Sequence, residues 1–127
     1  MSEDRDTWAT APRLRLRIVF GEDAMLGPGK ADLLEGIRET GSIAAAGRRM
    51  GMSYKRAWSL VETMNTAFQA PLVSSSRGGA KGGGAALTET GDTVLMHYRK
   101  LQEITAEAGA ARIGALQSLL ADRFHGK

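Results

Sequence analysis

Cysteine is absent from the 127-residue chain, which excludes disulfides, thiolate nucleophiles and thiolate metal sites together. Histidine is nearly absent: His97 and His125 stand alone, without a partner at helical spacing, and read as surface or tail residues rather than as a ligand or base. No apolar run approaches the roughly 20 residues that span a bilayer, and the opening MSEDRD is acidic where a signal peptide is basic. A soluble, cytoplasmic protein is expected, with no membrane partner, catalytic residue, metal or cofactor. Phosphate-cradling motifs are missing too. Lys81 is followed by Gly82 and Gly83 rather than by Ser or Thr, and no G-x-G-x-x-G spacing occurs. Acidic side chains run short in one segment: Ser42–Lys81 carries six basic residues and one acidic, against six and eight before it and five and five after it. The net charge of +3 is modest, yet its concentration in one stretch is the footprint expected of a nucleic-acid partner.

That stretch also has the clearest pattern in the chain. Ser42 is a good N-cap, Ile43, Ala46 and Met50 recur at helical spacing, and Gly51 stops the run. Ser53 caps a second helix, in which Ala57, Val61, Met64 and Phe68 repeat every three or four residues. Two helices joined by a short turn containing glycine form a helix-turn-helix, whose second helix can enter a DNA major groove.

The flanks read as support. Residues 1–12 are polar, without periodicity, and form a flexible tail. Arg13–Phe20 alternates as a half-buried strand, and Gly21–Asp23 turns it into a hairpin with Ala24–Leu26. The row Arg13, Arg15 and Arg17 reads as a solvated strand face. Lys30–Thr40 is an amphipathic helix burying Leu33, Leu34 and Ile37. After Pro71, Leu72–Arg77 and Ala85–Leu87 flank a glycine-rich loop as two short strands, which makes a wing. Thr88 caps a last helical region, with a candidate break at Gly109 and an apolar stripe through Ile113, Leu116, Leu119 and Leu120. So much amphipathic helix exceeds the needs of one small core and points to a homodimer. The fold class is therefore mainly α with small β hairpins: a winged helix-turn-helix over 13–87 and a helical dimerisation region over 88–127.

Helical geometry of about 100° per residue sorts the second helix into faces. Opposite the stripe of Ala57, Val61 and Met64 lie Lys55 and Ser59, flanked by Arg56 and Trp58. Ser53, Tyr54, Lys55, Arg56, Trp58 and Ser59 are the candidate groove contacts, since recognition helices use their N-terminal residues on base edges. Tyr54 leans toward the core, and Trp58 is placed to cover the seam to the wing. Arg48 and Arg49, ending the first helix, and Arg77 and Lys81, on the wing, are candidate phosphate contacts.

The runs SYKRAW-x-x-V-x-x-MN and GG-x-KGGG-x-x-LT-x-x-G, with RLRIVFGEDAMLGPGKADLLEGIRETG before them, resemble the N-terminal DNA-binding domain of the ModE-type, molybdate-responsive transcription regulators, whose head is LysR-like. The resemblance covers about Arg13 to Leu101. It implies a sequence-specific regulator that binds a palindromic operator in double-stranded DNA as a dimer. The molybdate-binding domain of full-length members has no counterpart up to Lys127, so a separate effector-sensing protein is a possible partner. The alternative is a sequence-neutral architectural or protein-interaction module on the same fold.

Overall fold

The computed structural model describes residues 12–76 and 84–124. Among the described residues, those within Leu16–Arg99 form one compact unit, and residues 12–15 and 100–124 belong to a second. In the first unit, β1 (Ile18–Gly21) pairs antiparallel with β2 (Ala24–Leu26). The strand is shorter than its alternation suggests, because residues 12–17 carry no regular structure. Leu16 and Ile18 pack on the core as expected. A register shift between Val19 and Gly21 takes Phe20 off that side, and it lies exposed and edge-on to Phe68, with ring centroids 6.3 Å apart.

Helix α1 (Pro28–Thr40) begins with proline in its first turn, where a missing N–H costs nothing, and buries Leu33, Leu34 and Ile37. Gly41 ends it in the left-handed conformation, φ 73°, donating its N–H to the Ile37 carbonyl at 2.8 Å. Helix α2 (Ile43–Arg49) is capped by Ser42, whose Oγ accepts from the Ala45 N–H at 3.0 Å. Gly51, φ 72°, makes the turn into α3 (Tyr54–Ala67), and the Ser53 Oγ accepts from the Arg56 N–H at 3.1 Å. Small residues let the three helices approach closely. A Cβ on Gly36 would lie 3.0 Å from the Ala46 Cβ, and one on Gly47 3.0 Å from the Ala57 Cβ. Ala57, Val61 and Met64 are buried, as the helical wheel requires.

The wing is β3 (Val73–Ser76) paired antiparallel with β4 (Gly84–Leu87), Val73 opposite Leu87 and Ser75 opposite Ala85. Its root is held at three points. Asn65 on α3 accepts from the N–H groups of Leu72 and Val73 at 2.8 and 3.1 Å and donates to the Val73 carbonyl at 3.1 Å. Thr88 donates its hydroxyl to the Pro71 carbonyl at 2.6 Å and its N–H to the Leu72 carbonyl at 2.9 Å. The Ala85 N–H donates to the Gly41 carbonyl at 2.9 Å, tying the outer strand to the α1–α2 turn.

Helix α4 (Glu89–Ser118) follows. Leu95 and Tyr98 complete the core with Leu26, Leu72 and the helix residues above, and the Tyr98 hydroxyl donates to the Leu16 carbonyl. Arg99 reaches α1, donating to both Asp32 and Glu35. Burial opposes the charge on its guanidinium, but the hydrogen bonds and nearby charges of the two carboxylates outweigh that, and its pKa is raised. The helix does not break at Gly109, since one interior glycine costs only about 1 kcal/mol against thirty residues of helix. It ends at Ser118, so Leu119 and Leu120 lie past it, before a 3-10 turn at Asp122–Phe124.

Candidate nucleic-acid interface

Helix α3 presents Ser53, Tyr54, Lys55, Arg56, Trp58 and Ser59 at its N-terminal half, and all six are exposed. The face is open because the buried stripe of Ala57, Val61 and Met64 occupies the opposite side of the helix. Ser53 has a second task as the cap, so its oxygen already accepts a hydrogen bond. Lys55, Arg56 and Arg48 form no ion pair among the described residues, so their charges are available to an anion. Arg49 differs: its guanidinium pairs with Glu39 at 2.8 Å, which braces α2 against α1. Arg77 and Lys81 lie outside the described residues.

Tyr54 departs from the helical-wheel expectation. Rather than being covered by the core it is 54% exposed, one residue after the extended N-cap Ser53 and three before the first buried residue of the helix, Ala57. Trp58 is 36% exposed and does face the wing. The two aromatics share a groove of about 590 Å³ with Ser42, Ser75, Ser76 and Ala85. Its walls are the flank of α3 and the wing strands, and its floor is the start of α2. Sequence patterning misses this feature: the serines of β3 are ordinary strand residues until the pairing of Ser75 with Ala85 sets them across from α3.

The residues that hold the site in shape also escape a motif search. Asn65 lies on the last turn of α3, where an amide usually signals solvent exposure, yet its side chain makes three hydrogen bonds to the wing root. The signal that could find it is its position: an amide six residues before Pro71, ahead of a chain reversal whose backbone N–H groups need acceptors.

Residues 31–92 match the model of the bacterial regulatory helix-turn-helix protein, lysR family. The chain is 42% identical over 90 residues to the molybdenum-pterin-binding protein MopB of Rhodobacter capsulatus, covering 71% of this chain and 32% of the relative. It is 38% identical over 95 residues to the molybdenum transport protein ModE of Azotobacter vinelandii, covering 73% and 35%. It is 37% identical over 81 residues to the DNA-binding transcriptional dual regulator ModE of Escherichia coli K12, covering 64% and 31%. The chain thus spans about a third of the length of these relatives. Among solved structures, the CbnR DNA-binding domain in its complex with DNA shares the fold with a TM-score of 0.54 at 20% identity, covering 69% of this chain and 95% of that one.

Proposed function

We propose, from the premise that this chain matches the N-terminal DNA-binding domain of ModE-type regulators and carries a lysR-type helix-turn-helix, that it is the DNA-reading head of a transcription regulator. It is a binding module and not a catalyst. The observation that carries the reading is the α3 face: Lys55, Arg56 and Ser59 exposed together on the N-terminal half of the second helix of a helix-turn-helix, its two cations in no ion pair among the described residues. Such a face enters a major groove, while Arg48 and the wing meet phosphates. Residues 88–127 then serve as the dimerisation region, setting two copies of α3 about 34 Å apart on a palindromic site. The sensing of an effector is left to another domain or protein.

Competition binding tests this. A regulator prefers its cognate site over bulk DNA by at least about a thousandfold at physiological salt. Lys55→Ala and Ser59→Ala should shift site preference by about 1–3 kcal/mol at the contacted base pair, whereas Arg48→Ala should weaken all duplexes alike. A protein for which no genomic fragment outcompetes random duplex would instead be a sequence-neutral module.

A further inference from the structure

The groove between α3 and the wing is unusual for a surface facing a polyanion, because none of the described residues that line it is charged. What it offers is uncharged donors. The Tyr54 hydroxyl, the Trp58 indole N–H and the Ser75 hydroxyl have no hydrogen-bond partner among the described residues. The Ser42 Oγ accepts from Ala45 N–H and keeps its own proton to give. Ser75 shares its strand face with Val73, which is buried toward α3, because side chains two apart point the same way. Position on α3 says which part of a duplex these donors meet. Tyr54 and Trp58 lie about 100° round the helix from Lys55 and Ser59. If the latter pair faces base edges in a major groove, the former faces the wall of that groove, which is a sugar–phosphate strand.

We propose that this groove seats the phosphodiester backbone of one DNA strand and grips it through neutral donors, chiefly Trp58 and Ser75, so that part of the affinity is insensitive to salt. The inference rests on the DNA-reading function above and adds a second binding surface to it. Neutral donors bond phosphate oxygens without neutralising them, and therefore release no condensed counterion. Cationic contacts release one each. The two kinds are separable by the slope of log affinity against log salt.

The test uses the full chain with its cognate duplex and with random duplex, across a salt series. Trp58→Phe keeps an aromatic ring but removes the five-membered part of the indole together with its N–H, whereas Ser75→Ala removes a single hydroxyl from an exposed strand position and is the cleaner of the two; circular dichroism checks that both variants fold. Each should weaken both duplexes about tenfold, as loss of a hydrogen bond to a charged group does, and leave the salt slope at the wild-type value. Arg56→Ala, by contrast, should lower the slope by about 0.9. Ethylation interference then maps the contact: one or two phosphates should weaken the wild type when ethylated and be silent in the double variant. Wild-type affinity in both variants, a fall in their salt slope, or a loss confined to the cognate sequence, which would signal base contact, each overturns the groove assignment while leaving the DNA-reading function standing. Absence of duplex binding by the wild type overturns both.

Discussion

At the scale of single residues, Asn65 shows how much one amide can organise. Its two acceptor bonds and one donor bond join the end of α3 to the first residues of the wing. Asn65→Ala leaves the Leu72 and Val73 N–H groups without that partner in a half-buried turn, so chemical denaturation should show a loss of about 2 kcal/mol. Asn65→Asp keeps both acceptor bonds and should lose less. Equal losses would mean that the donated bond to the Val73 carbonyl dominates. The sequence gives a hint of Asn65 only in its place ahead of Pro71; the bonds themselves depend on where the chain returns after the helix. By contrast Ser42 and Ser53 were legible as caps, since an N-cap is recognised by what immediately follows it and needs no tertiary information.

Among elements, the same division holds. Helices α1 to α3 are legible because their stripes, caps and left-handed glycines are local devices; α1 alone departs, starting at Pro28 rather than Lys30, since a proline fits the first turn of a helix. The face of α3 followed from that. The alternation of β1 continues upstream to Arg13, but the strand pairs only from Ile18, because β2 ends at Leu26 opposite it and leaves the residues before Ile18 without a partner strand. Gly109 is a candidate break by residue type, yet α4 runs through it, because a glycine interrupts a helix only when something else competes for the backbone. Gly91 in the same helix illustrates the other use of the residue. A Cβ there would lie 2.1 Å from the Leu72 carbonyl oxygen. Helix propensity alone favours alanine by about 1 kcal/mol. The close approach should reverse that sign, and Gly91→Ala should destabilise by about 1–3 kcal/mol in urea unfolding. A stabilised variant would show that α4 and the wing root separate readily.

For the molecule as a whole, the second half of α4 sets the question of assembly. From Lys100 onward no described residue is buried, and Leu101, Ile104 and Leu116 are exposed apolar side chains on one helix, Leu116 being 65% open. Helices of this kind are covered by a second copy in symmetric dimers. Sedimentation should therefore find the wild type dimeric at micromolar concentration and the Ile104→Glu/Leu116→Glu variant monomeric, with weakened binding to a palindromic duplex. A variant that still sediments as a dimer would place the contact elsewhere. The wing has a consequence of a different kind. Because β4 is tied to Gly41, and the wing root to Asn65 and Thr88, the walls beside α3 take their positions when the chain folds and not when a ligand arrives. The entropy that a flexible recognition segment surrenders when its backbone orders on association is surrendered there by the strand backbone on folding, while the exposed side chains of Tyr54, Trp58 and Ser75 keep their rotamer freedom until something packs on them.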